Sequence, residues 1–209
     1  MTSPLTQCLL FFLLFAAGAF PASASAQSGA FSATQIFEAI GAHDGATLCE
    51  IGAGDGALTL AAANAVGSRG RVYSSELGND RLNALREKVS GSGLTQITVV
   101  AGDSTRTNFP DGGCDAVFMR DVYHHFSDPA AMNRSILQAL KPGARLAIVD
   151  FTPPPGSEAP CPSDRGKDGM HGITAYTLSR ELADAGFEAA SSRSVQRGIM
   201  VVVSRPKGQ

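Results

Sequence analysis

The stretch Glu50-Ile51-Gly52-Ala53-Gly54-Asp55-Gly56 decides how this chain is read. It follows the apolar run Ala46 to Ile51 and precedes Ala57 to Val66, which reads as a helix. Strand, spaced glycines and helix together make a sharp turn in which no Cβ keeps a ligand away from the backbone. The start of the helix adds unpaired N–H groups and a partial positive charge. Such a turn suits an anionic group, a carboxylate or a pyrophosphate. Gly52-x-Gly54-x-x-Ala57 also satisfies the dinucleotide pattern, so the turn alone leaves the ligand open.

Outward from this turn, strands and helices alternate. Phe31 to Ala42 reads as an amphipathic helix with Thr34 as its cap and Gly41 as its stop. Arg71 to Ser75, ending at Glu76, is a second strand, and Asn79 to Ser90 a helix. Ile97 to Ala101 and Cys114 to Met119 are strands three and four. Ala130 to Leu140 is a helix stopped by Lys141-Pro142-Gly143, and Ala144 to Phe151 is strand five. A loop rich in Pro, Gly and charge, Thr152 to Gly172, leads to a helix over Thr177 to Ala185. Phe187 to Val195 and Ile199 to Ser204 are joined by so short a turn that they must be antiparallel. The expected fold is α/β: a Rossmann-like three-layer sandwich around a seven-stranded, mainly parallel sheet with an antiparallel C-terminal hairpin.

Two acids sharpen the ligand. Glu76 ends the second strand, where a carboxylate can accept hydrogen bonds from both hydroxyls of a ribose. Asp103, with Ser104 beside it, follows the third strand and Gly102, where it can accept from an adenine amino group. Both positions lie at carboxyl-terminal strand ends, where open α/β sheets bind ligands.

The segment Glu50-x-Gly52-x-Gly54-x-Gly56 resembles the first motif of class I S-adenosylmethionine-dependent methyltransferases. Glu76, Gly102-Asp103, the strand Asp115 to Met119 and Leu140-Lys141-Pro142-Gly143 are similar to that family's later motifs, in order, over roughly Phe31 to Arg205. The resemblance implies S-adenosyl-L-methionine as co-substrate and no metal. It implies that Gly52, Gly54 and Gly56 line the methionine and ribose portion. Glu50 then orients the turn, Glu76 binds the ribose and Asp103 reads the adenine, with Ser104 and Arg120 in the same cofactor-binding set. Arg120 to Phe126 resembles small-molecule methyltransferases of the ubiquinone-biosynthesis type.

Methyl transfer is an in-line displacement at an already activated carbon, so the protein's work is mainly binding and alignment in a dry site. A base is needed only where the acceptor loses a proton. Asp121, His124 and His125 are the catalytic candidates. One histidine serves as base while the other caps or packs, or neither does chemistry. Asp121 contacts either the methionine amine or the acceptor. Tyr123, and His171 with Tyr176 from the long loop and its following helix, are candidates for the acceptor side; an exposed loop histidine is the alternative for His171. Asp128-Pro129 reads as a helix start and His43 as a surface residue. The motif used by this class on planar amino groups of bases is replaced by Arg120-Asp121-Val122-Tyr123, which argues against DNA adenine methylation.

Composition narrows the partners. The 209 residues are 44% hydrophobic with a formal net charge of −2, so no basic excess exists to neutralise nucleic-acid phosphates. A small-molecule acceptor is the expected partner, and the oligomeric state is open. Residues 1–26 are expected to be a signal peptide or N-terminal anchor and 27–209 the methyltransferase domain. The apolar run Cys8 to Phe20 is short for a membrane span, and Ala24-Ser25-Ala26 offers small residues for cleavage. No Lys or Arg precedes that run. The chain is therefore exported, anchored, or, with an over-extended gene start, cytoplasmic. Cys49 and Cys114 read as small core residues and Cys161 as a loop residue, without metal-binding spacing. Two alternatives stand beside methyl transfer. One is a catalytically inactive protein binding S-adenosylmethionine or S-adenosylhomocysteine. The other is an NAD-type oxidoreductase, for which no chain is left to build a second domain.

Overall fold

The computed structural model describes residues 31–167 and 171–208. The segment expected at 1–26 lies outside them. The elements run α1 (Ala33–Ile40), β1 (Thr47–Ile51), α2 (Ala57–Val66), β2 (Arg71–Glu76), α3 (Asn79–Ser92), β3 (Ile97–Ala101) and β4 (Cys114–Arg120), then α4 (Pro129–Ala139), β5 (Leu140–Phe151), α5 (Ala175–Asp184), β6 (Glu188–Val195) and β7 (Gly198–Ser204). Single 3-10 turns occur at Tyr123–His125 and Pro162–Asp164. The strands form one seven-stranded sheet in the order β3-β2-β1-β4-β5-β7-β6. Strands β1 to β5 pair in parallel, and β7 pairs antiparallel with both β5 and β6. This is the expected α/β sandwich with its C-terminal hairpin.

Period-two side chains explain why both faces are covered. In β4, Val117 and Met119 enter one apolar cluster while Ala116 and Phe118 enter the other. In β5 the same split puts Leu146 and Ile148 opposite Ala147 and Val149. Helices α1 and α2 cover one face, where Phe37 meets Phe118 edge-on at 5.4 Å. Helices α4 and α5 cover the other, through Met132, Ile136, Leu178 and Leu182. Central strands buried on both sides are what near-continuous Val/Leu/Ile runs encode.

Several boundaries differ from expectation for local reasons. The first helix is capped by Ser32, not Thr34: Ser32 and Gln35 satisfy each other's backbone N–H groups as a capping box. Strand β5 begins at Leu140, not Ala144. Cys114 pairs with Leu140 while Ala116 pairs with Arg145, so Lys141-Pro142-Gly143 is absorbed as a register shift in the strand.

The cysteines require a larger correction. Cys49 on β1 and Cys114 on β4 are not free core thiols but a disulfide, with Cα atoms 5.9 Å apart and both residues fully buried. The bond spans 65 residues of sequence and ties together two adjacent central strands. Cys161 is free and exposed. Closing a loop of that length removes unfolded-chain entropy, so replacing both bridged cysteines by alanine is expected to lower unfolding stability by about 4 kcal/mol. Urea unfolding of the variant against the oxidised chain measures this. Thiol labelling of the unreduced, folded protein should reach Cys161 and spare Cys49 and Cys114.

Candidate active site

The strand order reverses between β1 and β4, and the turns leaving their carboxyl ends therefore diverge. A cavity of about 650 Å³ opens there, lined by the turn after β1 and by the ends of β2, β3 and β4. Its volume is in the range of small-molecule sites.

The turn after β1 holds Gly52, Gly54 and Gly56 at φ +70°, +55° and +74°, which side chains other than glycine rarely adopt. Each serves a different end. A Cβ on Gly52 would lie 2.4 Å from Val122 Cγ2, so this glycine lets the turn press against the segment after β4. A Cβ on Gly54 would meet nothing within 4 Å, and Gly54 lines the cavity. Gly56 is the N-cap of α2 and does not line the cavity; a Cβ there would meet Leu85 and Lys88. In this structure Gly56 serves the backbone geometry of the turn.

Beneath the turn, Glu50 is 2% exposed. Its Oε2 accepts from the hydroxyls of Thr59 on α2 and Ser74 on β2, the latter at 2.8 Å. Burial pushes its carboxyl up to about 7, against the lowering effect of those hydroxyls and of Arg120. Glu50 therefore links β1, β2 and α2 under the glycines. At the end of β2, Glu76 Oε2 accepts from the Gly54 N–H at 2.7 Å, and its Oε1 accepts from the Leu77 N–H at 2.8 Å. Arg81 on α3 pairs with Oε1 at 3.3 Å. Asp103 turns its Oδ1 to the backbone and hydroxyl of Thr105, which hold its carboxyl below the usual carboxylate range. Ser104, Arg120 and Asp121 also line the cavity.

The segment after β4 divides the expected catalytic and acceptor residues. Asp121, at φ +59°, and His125 face the cavity. Val122, Phe126 and Met132 give that end an apolar wall. His124 is 1% exposed and lies behind the wall, its Nδ1 2.6 Å from Asp150 Oδ1. Burial pushes the His125 imidazole below its ordinary value.

Tyr123, expected on the acceptor side, is fully buried and outside the cavity lining. Its hydroxyl donates to Glu181 Oε2 at 3.0 Å and accepts from Asn133 Nδ2 at 2.7 Å, and burial raises its phenol. Buried Arg165 also donates to Glu181, at 3.1 Å, so this network pins the long loop to α4 and α5. Tyr176 is 76% exposed and does not line the cavity either. His171 is not a lining residue, but its ring lies 4.2 Å from that of His124 at a tilt of 56°.

Sequence reasoning missed Leu77, Arg81, Arg106 and Met132 in the lining, and Asp150 behind it. A signal for Asp150 existed: it is the one acid inside the apolar run Leu146 to Phe151. Among the described residues, no cluster of His, Cys, Asp and Glu could hold a metal ion.

Residues 49–148 match the family model of a methyltransferase domain. The ubiquinone/menaquinone biosynthesis C-methyltransferase of Vibrio cholerae is 30% identical over 115 residues, which is 54% of this chain and 44% of that protein. The chain thus spans less than half the length of that curated relative. A crystal structure of an S-adenosylmethionine-dependent methyltransferase from Aquifex aeolicus superposes with a TM-score of 0.72 at 24% identity, covering 84% of this chain and 90% of that one. The crystal structure of the 4+2 cyclase SpnF gives 0.74 at 17% identity, covering 84% and 81%. One fold therefore carries different reactions, and the site must say which.

The buried Glu50 generates a prediction. Its pKa is raised from an unfolded value near 4.5 to about 7. The native state therefore binds more protons between those values, and stability falls as pH rises from about 4.5 through 7. A shift of that size corresponds to roughly 3 kcal/mol. Glu50→Gln should remove this component. Urea unfolding from pH 4 to 8.5 is expected to show the variant gaining on the wild type across that window, with the difference level above it.

Proposed function

We propose that this chain is a class I S-adenosylmethionine-dependent methyltransferase of the ubiquinone-biosynthesis-like branch, a reading supported by its match to a methyltransferase-domain model over residues 49–148 and by its relatives, and that it moves a methyl group from S-adenosylmethionine to a small-molecule acceptor. One observation carries the reading. A glycine turn with open space above Gly54 and two carboxylates at consecutive strand ends, Glu76 and Asp103, converge on a single 650 Å³ cavity.

The residues present fit the co-substrate. Gly54 leaves room for close approach of its chain. Glu76 holds one carboxylate at the cavity edge, where a ribose diol can take the place of its backbone partners. Asp103, kept ionised by Thr105, is an acceptor for an adenine amino group. Leu77, half exposed within the lining, offers an apolar surface to the base. When bound, S-adenosylmethionine supplies a methyl already activated by its sulfonium charge. The chain's own part is to align the acceptor against Val122, Phe126 and Met132 and to exclude water there. Asp121 and His125 are the polar groups facing that end.

The second half of the proposal concerns place. Disulfides persist in oxidising compartments and are rare in reducing cytosol. The Cys49–Cys114 bond supports export through the N-terminal segment over a cytoplasmic location. Fractionation with mass spectrometry of the mature N-terminus tests this; a protein that stays in the cytosol with both thiols reduced overturns it.

For function, isothermal titration with S-adenosylhomocysteine should show one-site binding, with no binding of NAD. Each substitution removes hydrogen bonds to the ligand, so Glu76→Gln and Asp103→Ala should weaken affinity by about tenfold or more. No binding by the wild type, or an affinity indifferent to both substitutions, refutes the reading.

A further inference from the structure

Behind the apolar wall lies a cluster to which alignment alone gives no task. Asp150, at the end of β5, has no exposure. Its Oδ1 accepts from His124 Nδ1 at 2.6 Å and from the Phe151 N–H at 2.7 Å. Its Oδ2 accepts from the His124 backbone N–H at 3.0 Å. A carboxylate takes only acceptor roles, so His124 presents a proton on Nδ1 to Asp150. The His124 Nε2 is buried and has no hydrogen-bond partner among the described residues. A buried, unmatched polar atom is a cost to stability, and a buried anion is costlier still. Perturbed or unmatched polar groups beside a cleft are where chemistry concentrates.

Two more imidazoles complete the cluster. The His125 ring lies 3.9 Å from that of His124 and the His171 ring 4.2 Å from it, centroid to centroid. Phe151 closes the cluster 5.3 Å from His171. Only His125 reaches the cavity. It stands beside Val122 and Phe126, and a Cβ added to Gly166 would lie 3.2 Å from its Nδ1.

We propose that His125 takes the proton of the methyl acceptor and that Asp150, acting through His124, is its positioning residue. This rests on the methyl-transfer reading above. The step balances as follows from the groups present. The bond between the acceptor atom and its hydrogen breaks, and the lone pair of His125 forms the new N–H bond. The electron pair left on the acceptor atom makes the bond to carbon as the carbon–sulfur bond breaks onto sulfur. The proton then leaves His125 for solvent at the cavity mouth. Asp150 holds a negative charge close to the imidazolium that forms, as the acid of a triad does for its histidine. The acceptors selected are those with a proton to lose at the reacting atom, and an apolar end favours a neutral one over a cation.

The charged and titratable groups facing His125 are His124 from its own turn, Asp150 from β5, His171 from the loop before α5 and Arg81 from α3. Burial pushes it down most, positive charge on His124, His171 or Arg81 acts in the same direction, and the negative charge of Asp150 opposes them. This yields a test that needs no acceptor. Nitrogen-15 imidazole spectra of the full chain should show His124 protonated at Nδ1. In Asp150→Asn the His125 pKa should fall, by about half a unit. A merely structural role would loosen the cluster, admit water and raise it toward its ordinary value. A His125 pKa that stays put or climbs in Asp150→Asn overturns the proposal, as does a wild-type His124 protonated at Nε2 should the variant not fold. Affinity for S-adenosylhomocysteine should stay within about threefold in Asp150→Asn, since Asp150 lies outside the lining. Loss of that affinity in the wild type would count against methyl transfer and leave the imidazole result standing by itself.

Discussion

Everything at the site depends on the backbone between β1 and α2 holding three residues in the left-handed region within five positions. Only glycine holds such a conformation without strain. The conformation brings the Gly54 N–H to Glu76 and brings Gly52 against Val122, so one turn touches both the end of β2 and the segment after β4. The cavity is what remains when this turn and the segment after β4 are held in contact at one edge and apart at the other. A side chain at Gly52 would drive them apart, while one at Gly54 would enter the open space.

The turn is held from below by a polar layer inside an apolar sheet. Glu50, Thr59 and Ser74 satisfy one another, and the hydroxyls of Thr59 and Ser74 also meet at 2.8 Å. Burying an acid is unfavourable, and this one responds by holding its proton more tightly. The gain is orientation: three elements share one set of directional bonds just under the residues that must not move. On the far side of the same strand, the Cys49–Cys114 bond fixes β1 to β4 covalently. The two strands at the order reversal are thus fastened by a disulfide, a ladder of hydrogen bonds and close turn packing.

The apolar end of the cavity is built differently. It consists of short segments after β4 and β5, not of one motif, and it is anchored by long-range polar contacts. Tyr123, Asn133, Glu181 and Arg165 form one such anchor, and Asp150 with His124 the other. The two neighbouring histidines therefore have opposite surroundings. His124 is enclosed and bonded to an acid, whereas its neighbour His125 looks into the cavity. The structural likeness to both a methyltransferase and a cyclase lies in the fold that the sheet and its glycine turn share.

By itself the sequence determined the strand and helix order, the antiparallel hairpin, the glycine turn, and Glu76 and Asp103 as the acids at its side. These are encoded locally, through side-chain period, glycine spacing and strand ends, and each lies within a few residues of the signal that reveals it. What only the tertiary structure decided joins residues far apart in the chain. The disulfide links positions 65 residues apart, Tyr123 meets Glu181 across 58, and His124 meets Asp150 across 26. Neither composition nor spacing distinguishes a buried Tyr123 from one facing a ligand, or His124 from His125. That difference arises when strands from separate parts of the chain pair and carry their end residues to one side of a common wall.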